Sequence, residues 1–103
     1  MIMDNLFINT INVRGLGSNT KCISMLDKLS EKCGIYFLQE THTDEFSEKK
    51  WKSYWNGDLF FAHGRSNAKG VAILIHDKLT VEVLEQIIDV GGRYIVLKVK
   101  LRK

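Results

Sequence analysis

The 103-residue chain contains no proline, only two cysteines and no apolar run near the roughly 20 residues that a membrane helix requires. The lack of proline is unusual but carries no functional conclusion. No block of lysine or arginine is long enough for a basic tail or a localisation signal. The start of the chain carries Asp4 and has no basic segment, so we expect neither a secretory signal nor a membrane anchor.

The two cysteines, Cys22 and Cys33, favour an intracellular protein, nuclear or cytoplasmic. If both lie on one helix, they stand about 16 Å apart along its axis, beyond the roughly 7 Å between Cα atoms that a disulfide tolerates. Unpaired thiols are typical of a reducing compartment. No histidine has ligand-like spacing to either cysteine, so the sequence does not predict a zinc site.

The remaining composition is that of a small globular domain spanning residues 1–103. Hydrophobic residues make up 45% and charged residues 26%, which suits one domain with a thin core. The net charge of +3 permits an anionic partner but does not require one.

The first part of the chain predicts a strand, a helix and a second strand. Residues 5–13 form the first strand, and Ser18 caps a helix that ends where Gly34 takes the C′ position. The second strand covers residues 35–40. We expect the two strands to be parallel and joined by a right-handed helical crossover.

The second part predicts mostly strands after a short helix at Glu48–Trp51. The predicted strands are Leu59–Ala62, Gly70–His76, Thr80–Ile88 and Arg93–Leu101. The last two form an antiparallel hairpin across Asp89–Gly92. In the final strand apolar residues alternate with basic residues, which indicates one buried and one exposed face.

Two predicted strands, at Ile35–Leu38 and Val71–Ile75, are apolar without alternation, which is typical of strands covered on both faces. One helix can cover one face of the sheet, but the sequence offers no obvious cover for the other. An alternative is that segment 42–69 folds over it. If the face stays open, we expect an apolar patch large enough to cause self-association.

The strongest candidate for chemistry is Glu40, which follows a buried strand and precedes Thr41 and His42. A carboxylate there adds nothing to fold stability, whereas Mg²⁺ prefers such an oxygen ligand. Asn12 likewise follows an apolar strand, and the ends of parallel strands meet at one edge of a sheet. Glu40 as a turn cap and Asn12 as an ordinary turn former before Gly15 remain alternatives.

Four segments together carry a resemblance to a known superfamily. They are INVRGLGS, IYFLQETHT, SNAKGVAILI and DVGGRYIVLKVKL. In this order they resemble the N-terminal half of the endonuclease/exonuclease/phosphatase superfamily, most closely the apurinic-endonuclease-like domain of LINE-type retrotransposons. The resemblance implies an α/β fold, the N-terminal half of a four-layer sandwich, with one mixed β-sheet and a crossover helix on one face. It also implies phosphodiester or phosphomonoester hydrolysis with Mg²⁺ or Mn²⁺.

The same resemblance implies roles for single residues. Glu40 matches the metal ligand and catalytic glutamate, and Asn12 matches the asparagine that holds the active-site network and the phosphate. Arg14, His42 and Lys69 are candidates for nucleic-acid binding, with ordinary solvated side chains as the alternative. Repair-type relatives often have an acidic residue where this chain has Arg14.

The family's later motifs, an aspartate–asparagine pair and a terminal Ser-Asp-His-like triplet, are absent from this sequence. They supply the base that activates water and a histidine facing the scissile phosphate, and neither His63 nor His76 matches the triplet. The leading hypothesis is therefore a partial Mg²⁺-dependent DNA endonuclease domain, inactive alone. Such domains nick genomic DNA so that a reverse transcriptase can prime.

Two other hypotheses stay open. One is a small non-catalytic nucleic-acid-binding α/β module, indicated by the positive charge together with Trp51, Trp55 and Phe60–Phe61. These tryptophans are better interpreted as packing residues than as platforms for bases. The other is a degenerate gene remnant without a function of its own.

Overall fold

The computed structural model describes residues 6–16, 18–64 and 69–102. The elements in chain order are β1 (Phe7–Asn12), α1 (Asn19–Ser30), β2 (Gly34–Gln39), α2 (Glu45–Tyr54), β3 (Asp58–Ala62), β4 (Val71–Ile75), β5 (Thr80–Ile88) and β6 (Ile95–Arg102). The predicted α/β class is confirmed. The start of the first predicted strand at residue 5, and parts of two resembling segments at 17 and 66–68, lie outside the described residues.

Four strands form a mixed sheet in the order β1-β2-β4-β3. As predicted, β1 and β2 are parallel, and Asn12 pairs with Gln39 at their carboxyl ends. β4 is antiparallel to both of its neighbours. This arrangement puts the end of β1, the end of β2 and the start of β4 at one edge of the sheet.

Helix α1 begins as predicted but ends earlier. The Ser18 hydroxyl accepts a hydrogen bond from the Lys21 amide, and the C-cap is Glu31. Gly34 was wrongly predicted as the C′ residue: it opens β2, where a Cβ would lie 2.5 Å from the Phe7 carbonyl oxygen. Cys33 therefore lies outside the helix, and both cysteines are free thiols in the structure.

Helix α2 is longer than the predicted Glu48–Trp51 because a capping box starts it at Glu45. The Asp44 carboxylate accepts from the Ser47 amide at 3.0 Å and from the Ser47 hydroxyl at 3.1 Å. These hydrogen bonds, the backbone one first, lower the pKa of Asp44. Among the described residues, no helix is long and apolar enough to cross a membrane.

Both helices pack on the same face of the sheet. Trp51 is fully buried and meets Phe61 edge to face, with the ring centroids 5.1 Å apart. Trp55 is also buried and donates its indole N–H to the Ile75 carbonyl at 3.3 Å. The interpretation of both tryptophans as packing residues is confirmed, and α2 lies against the α1 side of the sheet.

The opposite face is covered by the β5–β6 hairpin, not by segment 42–69. The hairpin forms a separate two-stranded sheet beside the four-stranded mixed sheet. Its inward side chains Ile95, Leu97 and Leu101 pack on Ile73 and Ile75 of β4. The cover is incomplete, because an apolar cavity of about 300 Å³ remains between the two sheets.

Candidate functional site at the carboxyl ends of β1 and β2

Asn12 and Glu40 meet at the edge of the sheet where the parallel strands end. Asn12 is the last residue of β1, and Glu40 follows the last residue of β2. The Asn12 side-chain Nδ2 donates a hydrogen bond to Glu40 Oε2, and both residues are exposed. Their convergence agrees with the parallel-strand argument, while their catalytic roles stay predictions.

The backbone at this edge adopts left-handed conformations at residues other than glycine. Arg14, Glu40 and His42 have φ angles of 51°, 53° and 54°. Among the described residues, these are all of the non-glycine positions with positive φ. Each such residue costs on the order of 1–3 kcal/mol, and such residues cluster at functional sites. The backbone strain therefore marks this edge as a candidate functional site, independently of which side chains it carries.

Hydrogen bonds hold the strained segments against one another. The Gly15 amide donates to the Glu40 carbonyl at 2.7 Å, which ties the loop after β1 to the loop after β2. On the other side, the Thr41 and His42 amides donate to the carbonyls of Gly70 and Lys69 at 3.1 and 3.0 Å. The backbone of Glu40 is thus fixed from both sides, which preorganises its carboxylate.

A chain of side-chain hydrogen bonds runs beneath the loop that carries Glu40. The hydroxyls of Thr41 and Thr43 lie 3.0 Å apart, and both residues are fully buried. Thr43 also contacts His63 Nδ1 at 3.1 Å, and His63 Nε2 contacts a carboxylate oxygen of Glu48 on α2 at 2.7 Å. His63 therefore connects α2 to this loop. No direct signal for this role is present in the sequence beyond two threonines that follow a buried strand.

The residues predicted to bind nucleic acid lie around this edge in different settings. Arg14 and Lys69 are exposed, whereas His42 is half-buried. The His42 ring lies against Gly15, where an added Cβ would come within 2.6 Å of Nδ1. Of the three, Lys69 shares a cavity with Glu40.

This cavity has a volume of about 390 Å³ and also reaches the hairpin turn. Its lining includes Gln39, Glu40, Lys69, Gly70, Gly92 and Arg93. Arg93 was not among the residues predicted from the sequence. Its sequence signals are Asp89, an acidic residue four positions earlier across a glycine-containing turn, and its place in the segment DVGGRYIVLKVKL that carries the resemblance.

Asp89 holds Arg93 in a two-point ion pair. Arg93 Nε donates to Asp89 Oδ2 at 2.9 Å and Nη2 donates to Oδ1 at 3.2 Å, while the Arg93 backbone amide also donates to Oδ2 at 3.0 Å. The side-chain bonds first, and then the amide, lower the pKa of Asp89 from its ordinary value of 3.8 to about 2. The same pairing raises the pKa of Arg93.

The donor set suits a weakly held hard cation. Glu40 is a single exposed carboxylate, and Asn12 Oδ1 already accepts from the Arg14 amide at 3.0 Å. Within residues 6–16, 18–64 and 69–102, no group of three or more His, Cys, Asp or Glu side chains is arranged to enclose a metal. Mg²⁺ is commonly held by one or two carboxylates, with water and substrate phosphate as the other ligands. Glu40 fits such an open site.

Comparison with known proteins relates nearly the whole chain to a transposon protein. The chain is 33% identical over 96 residues to the "Transposon TX1 uncharacterized 149 kDa protein" of Xenopus laevis. The match covers 92% of this chain but only 7% of that protein. No family model matches the chain.

Proposed function

We propose that this chain is part of a Mg²⁺-dependent phosphodiesterase domain of a transposon-derived protein, whose whole domain is a DNA endonuclease of the LINE type. The contact between Asn12 and Glu40 at the strained edge of the sheet carries this proposal. The similarity to a transposon protein supports the origin. The resemblance of four segments to the endonuclease/exonuclease/phosphatase superfamily supports the chemistry.

In this proposal, each side chain at the edge has a separate role. Glu40 would hold Mg²⁺ or Mn²⁺, and the bound cation would neutralise charge developing on the phosphate oxygens. Asn12 orients the Glu40 carboxylate through Nδ2, and its own orientation is fixed by the Arg14 amide. Lys69 presents its ammonium group to an anion in the same cavity. Arg14 and His42 would contact the nucleic acid on either side.

His63 and His76 are not arranged to activate a water at this edge. His63 is engaged with Thr43 and Glu48. His76 contacts the Ser30 carbonyl at 2.8 Å and accepts from the Lys78 amide at 3.1 Å, with Trp55 packed beside it. We therefore expect this chain alone to bind metal and DNA but to hydrolyse little or no DNA.

The test is the effect of Mg²⁺ on DNA binding by the purified chain. Fluorescence anisotropy with a labelled short DNA duplex should show tighter binding when Mg²⁺ is added, and Glu40→Gln should remove that gain. Glu31→Gln, an exposed residue at the C-terminus of α1, is the matched control. Equal responses of wild type and Glu40→Gln to Mg²⁺ would contradict the proposal.

Plasmid nicking tests the expected inactivity separately. With Mg²⁺, supercoiled plasmid should remain intact at the rate seen with Glu40→Gln. Robust nicking that depends on Glu40 would refute the inactivity of the isolated chain while supporting the endonuclease assignment.

Three of the four aromatic residues that indicated a non-catalytic, base-stacking module are buried in the structure. Trp51, Trp55 and Phe61 are 0%, 4% and 8% exposed, so they offer no free ring face. A steep loss of DNA affinity with salt, together with no effect of Glu40→Gln, would nevertheless favour that module. Genomic sequence flanking the coding region would identify a gene remnant.

A further inference from the structure

The β5–β6 turn is built into the cavity beside Glu40. The Gly70 amide donates to the Gly92 carbonyl at 3.1 Å, and Gly92 is buried with φ 73°. A Cβ on Gly92 would lie 2.6 Å from the Cα atom of Gly64, so the two backbones are in direct contact. The next residue, Arg93, is consequently delivered to the cavity wall.

Asp89 holds the Arg93 guanidinium in one orientation, and the group is still exposed enough to bind a ligand. Its side chain is 67% exposed, whereas the side chain of its partner Asp89 is 11% exposed. Asp89 engages Nε and Nη2, and within the described part of the chain Nη1 has no hydrogen-bond partner. Because Asp89 fixes the plane of the guanidinium, less side-chain entropy is lost when an anion binds to its free edge.

We propose that Arg93 binds a backbone phosphate of the nucleic acid in this cavity, beside the phosphate that faces Glu40. This inference rests on the proposed function for its substrate class and adds the hairpin turn to the substrate-binding surface. A planar guanidinium matches the oxygens of a phosphate better than an ammonium group does. The cavity volume of about 390 Å³ is within the usual range for small-ligand sites.

The charges in the cavity make this binding dependent on the metal. Arg93 is compensated by Asp89, and Lys69 is balanced by Glu40, so the four side chains together carry no net charge. A divalent cation on Glu40 would leave the cavity with a net charge of about +2, which favours a phosphodiester anion. We therefore expect Arg93 to contribute more to DNA binding with Mg²⁺ than without it.

The experiment compares Arg93→Lys with Arg102→Lys, using anisotropy of a labelled short DNA duplex in Mg²⁺. Both changes keep the charge, but Arg102 lies on β6 outside this cavity. Arg93→Lys should weaken binding roughly five- to tenfold, because an ammonium group cannot make the two-point contact with a phosphate that a guanidinium makes. Arg102→Lys should change it less than twofold. Equal affinities of both variants and the wild type would overturn the proposal.

A second measurement uses the wild type, so that a folding defect in Arg93→Lys cannot be mistaken for the loss of a phosphate contact. In the wild-type ¹H–¹⁵N spectrum, the same unlabelled duplex should shift the Arg93 Nε–H resonance and the Gly92 amide in the presence of Mg²⁺. Unchanged positions at saturating DNA would also overturn the proposal.

Failure of this inference can be told apart from failure of the proposed function. If DNA binding depends on Arg93 but Mg²⁺ has no effect through Glu40, the phosphodiesterase proposal and the metal coupling fail, and only the phosphate contact survives. If Mg²⁺ acts through Glu40 while Arg93→Lys binds like the wild type, the phosphate contact at Arg93 fails and the proposed function stands.

Discussion

The amide of Gly70 donates a hydrogen bond to the carbonyl of Gly92, and this bond joins the hairpin turn to the edge of the main sheet. Gly70 in turn accepts from Thr41, the residue after Glu40. These two backbone hydrogen bonds connect three segments that are distant in sequence: the loop after β2, the start of β4 and the turn between β5 and β6. The position of Glu40 depends on this docking as well as on its own strand.

Gly92 should tolerate no side chain. Gly92→Ala places a Cβ against the backbone of His63 and Gly64 and imposes a left-handed conformation on alanine. We expect a loss of about 2–4 kcal/mol in the free energy of unfolding, measured by urea denaturation. Gly91→Ala is the matched control, because the atom nearest to its added Cβ would be Asp89 Oδ2 at 3.2 Å. This change should alter stability by under about 1 kcal/mol. Equal stability of the two variants would show that the turn does not dock as described.

The Asp89–Arg93 pair predicts a loss of stability in acid. Because the folded-state pKa of Asp89 is about 2 and its ordinary value is 3.8, its contribution is fully present above about pH 4 and is lost as the pH falls toward 2. Asp89→Asn and Arg93→Gln should each flatten the pH dependence of the unfolding free energy in this window. Thermal or urea unfolding at several pH values measures it. An unchanged slope in both variants would contradict the pairing.

The buried threonines should support the loop that carries Glu40. Thr43→Val removes the hydroxyl between Thr41 and His63 and leaves their polar atoms without this partner. We expect a loss of roughly 1–3 kcal/mol in the free energy of unfolding. Thr43→Ser keeps the hydroxyl and should lose less, and Thr80→Val at an exposed position should be nearly neutral. If Thr43→Ser and Thr43→Val are equally destabilised, the network adds nothing to stability.

Self-association remains a prediction. The surface expected to cause it is now the outer face of the hairpin, not the uncovered face of the sheet. The hairpin covers part of the sheet, but its outer face exposes Ile87 and Val96, 55% and 52% accessible and paired across the strands. We expect concentration-dependent association in sedimentation velocity experiments, reduced by Val96→Lys and unchanged by Thr80→Lys. A monodisperse wild-type monomer at high concentration would contradict this prediction.

The sequence predicted the contact between Asn12 and Glu40 better than it predicted the cover of the sheet. The pairing of β1 with β2 follows from a local strand–helix–strand pattern, so the meeting of Asn12 with Glu40 could be predicted. The hairpin could be recognised, but not its docking. A register irregularity between Val83 and Glu85 disturbs the alternation of β5. The contacts of Gly92 with Gly64 are long-range, and no local pattern encodes them.

The helix boundaries failed for a similar reason. Glycine commonly follows the last residue of a helix, but Gly34 lies in β2, where the Phe7 carbonyl of the neighbouring strand approaches too closely for a side chain. His63 could not be assigned because its partners, Thr43 and Glu48, lie on other segments. Tertiary contacts in both cases override the local signal.

Paramagnetic broadening by Mn²⁺ tests the proposed role of Glu40 as the anchor of a divalent cation. In a ¹H–¹⁵N spectrum of the isolated chain, substoichiometric Mn²⁺ should broaden the amides of Asn12, Glu40 and Thr41 first, with an affinity on the order of millimolar. Glu40→Gln should abolish this local broadening, and Glu31→Gln should leave it unchanged. Identical broadening in wild type and Glu40→Gln, or broadening centred on other carboxylates, would contradict the proposed metal-binding role of Glu40.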